Sequence, residues 1–364
     1  MAAASNGATA APGSGAAALL WFIGRVVVVC VIGAALAGAS ILLTENLETY
    51  YFLVLIQCGI AAVLAVSLNL INGITGQFSI GHAGFYAVGA YVGTAWTMLW
   101  RPMLAKSAPF LEIGTLAGDA LNLVIAMLLG SIAAAVTGVV VGTPSLRLRG
   151  DYLAILTLGF GEVIRVVLLN IDAVGGARGL AGIPTLVSTG GLAAFWVFSL
   201  LIAVALLTRN LMRSTRGLTW LAVREDEIAS DAMGVDTTKV KVTAFVVGSA
   251  SAGAAGVLYA HFFTGISPDI FGMDVSILIT TMVVLAGTGS VTGAIIAGFA
   301  LTALPEALRF LKDFKEYRMV FFSTALILMM LTRPQGILGH AELGFGSFAR
   351  LWGRIRRRTR SAAA

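Results

Sequence analysis

The feature that most constrains this chain is a series of long apolar segments, each long enough to cross a membrane. The hydrocarbon core of a bilayer is about 30 Å thick and is crossed by roughly 17–25 residues of α-helix. Charged residues make up 12% of the chain, against about 25% in a soluble domain. The segments and the low charge together predict an all-α polytopic membrane protein.

We predict seven spans in the first part of the chain and a different arrangement after them. The seven are Leu19–Leu43, Tyr50–Ile71, Ser79–Leu99, Leu121–Val141, Tyr152–Asn170, Leu192–Thr208 and Val242–Phe263. Ser276–Leu304 would be ~43 Å long as one helix, and the glycine-rich stretch Ala286–Gly293 interrupts it. We therefore predict two short half-helices within 276–304. With a last span at Arg318–Leu331, the total is about ten transmembrane segments.

The distribution of basic residues predicts the orientation of these segments. Ten segments place both termini on one side of the membrane, and we place them in the cytoplasm. Fifteen of the 24 Lys and Arg residues then lie inside: two in the loop at 147–149, six from Arg209 to Lys241 and seven from Arg333 onward. Seven lie outside, which agrees with the positive-inside rule. The net charge of +6 is therefore attributed to topology and not to nucleic-acid binding.

The chain divides into three parts by composition. Residues 1–18 are small and uncharged, which predicts a disordered N-terminal tail. Residues 19–340 form the predicted transmembrane domain, with a cytoplasmic loop at 209–241. Residues 341–364 form a basic cytoplasmic tail, which anionic lipid would attract. Cys30 and Cys58 fall within apolar runs and the three histidines are far apart, so we predict neither a metal site nor a bound cofactor.

The cytoplasmic loop contains a segment, Gly217–Gly234, whose apolar residues recur at helical spacing. We predict one helix that Gly234 stops. Helices that lie on lipid are usually basic on their polar face, whereas this one has four acids and one base. We therefore interpret it as a helix that docks onto another protein, with a solvated loop helix as the alternative. The candidate docking residues are Leu221, Arg224, Glu225, Asp226, Glu227, Ile228, Asp231 and Gly234.

The stretch Asn69–Gly84 is polar and glycine-rich for a membrane segment. Irregular backbone at membrane depth is tolerated where it is buried in protein or lines a cavity, so a pathway or gate is one interpretation. An inner loop that packs against its neighbours is the other. The candidate pathway or gate residues are Asn69, Asn72, Gln77, Ser79 and His82.

Two charged residues, Glu162 and Arg165, lie within the predicted span Tyr152–Asn170. Their i, i+3 spacing places them on one helix face, where they can neutralise each other. An isolated charge at the centre of a membrane costs about 2.5–3.5 kcal/mol on insertion scales, so we expect the pair to face the interior of the bundle. We predict a structural ion pair, and a proton relay is the alternative.

Four blocks of the sequence resemble the membrane permease of bacterial ABC importers for branched-chain amino acids, LivM type. The four blocks are Asn69–Gly93, Pro144–Asn170, Gly217–Gly234 and Arg318–Leu338. Weaker support comes from Gly175–Pro184 and Ser267–Gly293. The resemblance implies a fold similar to the ten-helix ABC importer permeases, in the bacterial cytoplasmic (inner) membrane. It also implies three kinds of partner: a second, LivH-like permease, two ABC ATPase subunits and an extracytoplasmic amino-acid-binding protein.

The chain lacks the phosphate-binding motif GxxxxGK[ST], so we expect ATP hydrolysis to be supplied by partner subunits. By the same resemblance, the segment Leu218–Gly234 occupies the position of the family's coupling helix. We therefore predict a non-enzymatic permease subunit that transports branched-chain amino acids such as leucine. A related ABC permease for urea or short amides is one alternative. An ion-coupled secondary carrier that uses Glu162 and His82 is another, from a different class.

Overall fold

The computed structural model describes most of the membrane region. It covers residues 35–105, 114–145, 148, 150–187 and 191–308, together with residues 320, 323, 324, 327, 332 and 336. Within the first of these ranges, residues 35–46 are helical. The two predicted tails, most of Leu19–Leu43 and most of Arg318–Leu331 lie outside the described residues.

The described chain is mostly helical. The helices are α1 (Thr49–Asn69), α2 (His82–Ala95), α3 (Arg101–Ala105), α4 (Leu116–Ser145), α5 (Asp151–Leu169), α6 (Ala193–Met212), α7 (Thr215–Glu225), α8 (Glu227–Ala232), α9 (Thr237–Phe263), α10 (Met273–Ala286) and α11 (Val291–Ala307). Wider π-helical turns, Leu70–Ile74 and Trp96–Trp100, extend α1 and α2. Short 3₁₀ turns occur at Asp172–Val174, Gly176–Arg178 and Pro268–Phe271. Strands β1 (Leu180–Ala181) and β2 (Gly265–Ile266) form one short antiparallel pair.

Six helical stretches in the described residues are long and apolar enough to cross a membrane. They are Thr49–Ile74, Leu116–Ser145, Asp151–Leu169, Ala193–Met212, Thr237–Phe263 and Pro268–Ala286. Val291–Ala307 is a shorter apolar helix. The prediction of a multi-pass helical membrane protein is therefore confirmed, while the count of ten segments stays a prediction.

Glycines allow the central helices to approach backbone to backbone. A Cβ atom on Gly89 of α2 would lie 2.3 Å from the Cα atom of Gly253 on α9. A Cβ atom on Gly256 would lie 2.2 Å from the carbonyl oxygen of Tyr86. Small residues allow this close packing between transmembrane helices, where van der Waals contact replaces the hydrophobic effect as the main source of affinity.

Helices α10 and α11 form a hairpin that runs along α1. Its tip is the non-helical stretch Gly287–Ser290, which falls within the glycine-rich interruption seen in the sequence. The Ser290 carbonyl accepts a hydrogen bond from Asn69 near one end of α1, and Glu306 accepts one from Tyr50 near the other. Helix α11 is therefore antiparallel to α1. The half-helix character predicted for 276–304 stays a prediction.

The loops of the bundle collect at two ends. We call the end that carries α7 and α8 the α7 end. It also contains residues 75–81, between α1 and α2, and the tip of the α10–α11 hairpin, against which Gly336 packs. The other end, called here the opposite end, contains the β1–β2 pair and the 3₁₀ turn Pro268–Phe271.

Candidate functional site

The loop predicted to carry one docking helix carries two. Helix α7 ends at Glu225 and α8 begins at Glu227, because Asp226 has extended backbone angles (φ −153°, ψ 107°). Its Oδ1 atom accepts hydrogen bonds from the backbone N–H groups of Ile228 and Ala229, at 2.9 and 3.0 Å. Aspartate is among the preferred N-cap residues for this reason. The prediction of a single helix is therefore wrong, and Asp226 has an intramolecular role as the cap of α8.

One side of α7 is anchored to the bundle. Trp220 and Val223 are buried, and the indole Nε1 of Trp220 donates a hydrogen bond to the carbonyl of Val240 on α9, at 3.1 Å. Leu221, one of the candidate docking residues, is only partly exposed. Part of the apolar stripe thus packs against this chain and does not face outward.

The other side of α7 and α8 presents apolar and acidic side chains to the surroundings. The exposed fractions are 65% for Leu218, 70% for Ile228 and 84% for Met233. Glu225 and Asp231 are exposed beside them, as is Gly234. We call Leu218, Glu225, Ile228, Asp231 and Met233 the docking surface. Large apolar side chains exposed among charged ones are typical of a protein-binding site.

Arg224 points away from the docking surface and into the bundle. Its Nη1 atom donates a hydrogen bond to the carbonyl oxygen of Gly73, in the π-helical extension of α1, at 2.8 Å. A Cβ atom on Gly76 would lie 2.9 Å from Arg224 Cγ, and one on Gly289 would lie 3.1 Å from Arg224 Nη1. The arginine therefore fits between α7, the end of α1 and the tip of the hairpin. Arg224 is a predicted contact to a partner protein, and in the structure its guanidinium bonds within this chain.

Glu227 also contacts the bundle. Its Oε1 atom lies 2.7 Å from the Nζ atom of Lys241, near the start of α9, and the lysine side chain is 10% exposed. This pair borders a crevice of about 200 Å³, whose lining includes Gln77 and Phe78. Like Arg224, Glu227 joins the loop to the membrane helices.

The candidate gate residues pack tightly at the α7 end. Asn69 accepts a hydrogen bond from the N–H of Gly289 at 2.9 Å and donates one to the Ser290 carbonyl at 3.1 Å, so its side chain holds the tip of the hairpin. Asn72 pairs in the same two-bond manner with the backbone of Ser79, at 3.1 and 2.9 Å. This pairing closes the irregular loop between α1 and α2.

The remaining candidates in this stretch are buried. The Nε2 atom of His82 lies 2.7 Å from Ser67 Oγ, and Gln77 donates to Thr75 Oγ1 at 2.7 Å. Ser79 is fully buried. Gly76 and Phe78 in the same stretch are exposed, so protein covers one side of this irregular loop and leaves the other open at the α7 end.

Glu162 and Arg165 lie in hydrogen-bonding contact on α5. The Nε atom of Arg165 donates to Glu162 Oε2 at 2.8 Å. Its Nη1 atom donates to Asp269, on the 3₁₀ turn before α10, at 3.1 Å. Sequence reasoning missed Asp269 because it is 104 residues away from Arg165. The cluster joins α5 to the opposite end of the bundle; Glu162 and Arg165 are partly exposed there, and Asp269 is largely exposed.

A cleft of about 420 Å³ opens between α1, α9, α10 and α11, and none of the sequence patterns described above predicts it. Its walls are mostly apolar, with carboxylates from Asp274 and Glu306 near the opposite end. No local motif marks such a site, because its lining comes from distant parts of the chain. The available signal was the presence of isolated polar residues, such as Gln57, within apolar helices.

Comparison with known proteins gives a consistent set of relatives. A family model described as "Branched-chain amino acid transport system / permease component" matches residues 50–331. The LivM permease proteins of high-affinity branched-chain amino acid transport systems from Salmonella typhimurium and Escherichia coli K12 are each 35% identical over 306 residues. That alignment covers 76% of this chain and 67% of each relative. The LivH permease protein of E. coli K12 is 29% identical over 292 residues, which is 78% of this chain and 92% of the relative. No solved structure gives a significant match.

Proposed function

Since the chain belongs to the family of permease components of branched-chain amino acid transport systems, we propose that it forms half of an importer's translocation pathway. The proposed substrates are branched-chain amino acids such as leucine. The chain is a transport subunit and not an enzyme, and partner subunits would supply the ATP hydrolysis.

The observation that carries the proposal is the two-sided construction of α7 and α8. Their outer side is the docking surface, where exposed apolar and acidic residues suit a groove with basic edges. Their inner side is joined to the membrane helices through Trp220, Arg224 and Glu227. A partner that moves the docking surface would therefore also pull on the end of α1 and on the hairpin tip. This is the arrangement that coupling to an external ATPase requires.

The orientation follows from the same proposal. Two ATPase subunits would bind at the α7 end, so that this end faces the cytoplasm, as the basic residues from Arg209 to Lys241 also favour. An extracytoplasmic amino-acid-binding protein would deliver substrate at the opposite end. Gly336 packs against the hairpin tip at the α7 end, so we propose that the C-terminal segment lies in the cytoplasm. We propose the same side for the N-terminus.

The second permease would cover part of α5. The relatives include both a LivM and a LivH protein from E. coli K12, which implies a permease pair in such systems. Glu162 and Arg165 are partly exposed on this chain, and their partner Asp269 is largely exposed. Charged groups within a membrane normally face protein or water. We therefore assign this side of α5 to the contact with the related permease, and the cluster to structural ion pairing.

Substitutions on the docking surface test the proposal. Glu225 and Asp231 are suitable because both are exposed, whereas Glu227 contacts Lys241 and its replacement would also disturb the fold. The double variant Glu225→Lys/Asp231→Lys should enter the membrane normally and lose its ATPase subunits during co-purification. The matched control is Glu45→Lys, an exposed acid at the opposite end. Equal ATPase recovery with the double variant and with the control would contradict the docking role.

A further inference from the structure

One face of α6 is exposed over the second half of the helix and is apolar until the last turn. Ile202 and Leu206 on this face are 38% and 51% exposed. At helical spacing of three or four residues, the same face continues with Arg209 and Arg213. Arg213 keeps its helical position, because its backbone N–H bonds to the Arg209 carbonyl. We call these four residues the α6 face, in which a row of aliphatic side chains leads to two arginines.

The two arginines of the α6 face have no acidic partner. Neither side chain forms an ion pair or a hydrogen bond with any residue that the structure describes. No Asp or Glu occurs from Ala193 to Arg224, a stretch that includes all of α6. By contrast, Arg165 and Arg224 are each bonded to a group of this chain. The positive charge at the end of the α6 face is therefore available to a ligand.

The location of these arginines favours a lipid as that ligand. Helix α6 is long and apolar enough to cross a membrane, so its last turn lies near the level of the lipid headgroups. In the proposed orientation this is the cytoplasmic leaflet, which contains anionic lipids. The planar guanidinium group of arginine matches the geometry of a phosphate. The aliphatic part of the α6 face offers an acyl chain a surface next to that phosphate.

The partners proposed above do not require the α6 face. The related permease is assigned to α5, which packs against α2 and α4, whereas α6 packs against α1 and α9. The ATPase subunits are assigned to the docking surface on α7 and α8, which carries exposed acids. The α6 face thus has a charge of the opposite sign and belongs to a different element.

We propose that the α6 face binds one anionic phospholipid of the cytoplasmic leaflet. Its phosphate would lie on Arg209 and Arg213, and an acyl chain would run along Leu206 and Ile202. This inference goes beyond the proposed function and uses only its orientation of the α7 end. Ser214, which caps α7, directly follows Arg213. A lipid held here would therefore steady the corner between a membrane helix and the helices of the docking surface.

Labelling that depends on the headgroup tests the site in the assembled importer. The probe is phosphatidylglycerol with a diazirine in one acyl chain, diluted into phosphatidylcholine vesicles. It should label α6 more strongly than α4, whose exposed side chains include Leu128 and Ile132. Phosphatidylcholine with the same diazirine should label the two helices alike. Unlabelled phosphatidylglycerol in excess should reduce the labelling of α6, whereas soluble glycerol phosphate should not.

Paired substitutions compare equal losses of charge. Arg209→Gln/Arg213→Gln should weaken the binding of phosphatidylglycerol about thirtyfold in a titration followed by native mass spectrometry, since each basic residue near the surface strengthens binding about fivefold. The matched control is Arg178→Gln/Arg216→Gln, because both of these arginines are exposed and lie outside the α6 face. It should weaken binding less than about fivefold. Arg209→Lys/Arg213→Lys keeps both charges and should retain most of the binding.

Three outcomes would overturn the inference. Equal losses of binding in the two Gln double variants would indicate attraction to diffuse positive charge. Labelling of α6 in the chain alone but not in the assembled importer would assign the α6 face to a partner subunit. Competition by glycerol phosphate would assign the arginines to a soluble phosphate. Because these measurements record lipid binding, a wild-type importer that takes up no leucine would contradict the proposed function and leave the lipid site standing.

Discussion

Replacement of Arg224 by methionine removes the charged hydrogen bond between α7 and the end of α1 and preserves most of the side-chain length. The bond measures 2.8 Å from Arg224 Nη1 to the Gly73 carbonyl oxygen. Hydrogen bonds to charged groups contribute about 1.5–3 kcal/mol. Because the Arg224 side chain is 23% exposed, water replaces part of the loss, and we use the lower value of about 1.5 kcal/mol. That energy corresponds to about a tenfold change in an equilibrium.

The loss of this hydrogen bond should weaken the coupling of ATP hydrolysis to leucine transport. It should not change the assembly of the chain with its ATPases. On the docking surface, Arg224→Met removes only the 3.9 Å pairing of Arg224 with the exposed Glu225, a kind of contact that contributes little, so the ATPases should still bind and hydrolyse ATP. The pull on the hairpin tip and on α1 weakens, so fewer leucine molecules should enter per ATP hydrolysed. The assay measures leucine uptake and phosphate release in the same proteoliposomes. We expect their ratio to fall about tenfold.

Arg216 provides the matched control, since it is an exposed arginine on the same helix. Arg216→Met should retain the wild-type ratio of uptake to hydrolysis, and Arg224→Lys should restore part of it. A wild-type ratio in Arg224→Met, with normal folding and ATPase binding, would refute the view that this side chain transmits motion.

Three further substitutions test other parts of the structure. Asp226→Ala removes the cap of α8 and should destabilise that helix by about 0.5–2 kcal/mol. Amide hydrogen exchange over residues 227–232 should then become faster, and unchanged exchange would argue against the cap. Glu162→Gln weakens the pairing with Arg165 and should reduce assembly with the second permease, while the pH optimum of transport stays the same. A shifted pH optimum with normal assembly would instead indicate a proton relay. Gly89→Val forces a side chain against Gly253 and should sharply lower the yield of folded protein, as judged by gel filtration in detergent; a normal yield would show that the two helices can separate.

The helices were the more predictable part of this chain, since their signal is local. The predicted span Tyr152–Asn170 lies within one residue of α5 at each end, because apolar length and the flanking polar residues mark it directly. The break at Asp226 was missed because the apolar stripe of Gly217–Gly234 continues at helical spacing through it. The sequence shows an aspartate within this stripe. It does not distinguish whether that aspartate caps a new helix or is a solvated charge on a continuous one.

The site depended on contacts between distant residues, which sequence spacing does not contain. Glu162 and Arg165 were paired correctly by their i, i+3 spacing, whereas Asp269 was not foreseen. Arg224 was assigned to a partner because its carbonyl acceptor, Gly73, is 151 residues away. Every residue has a backbone carbonyl oxygen, so no sequence pattern identifies which one accepts a hydrogen bond from a distant arginine.

The most direct test of this account compares the chain alone with the assembled importer. Both are reconstituted into vesicles and given labelled leucine, with ATP on the side of the α7 end and binding protein on the other. We expect ATP-dependent accumulation in vesicles that contain the ATPases, and none with the chain alone, with or without a proton gradient. Uphill accumulation of leucine by the chain alone would contradict it.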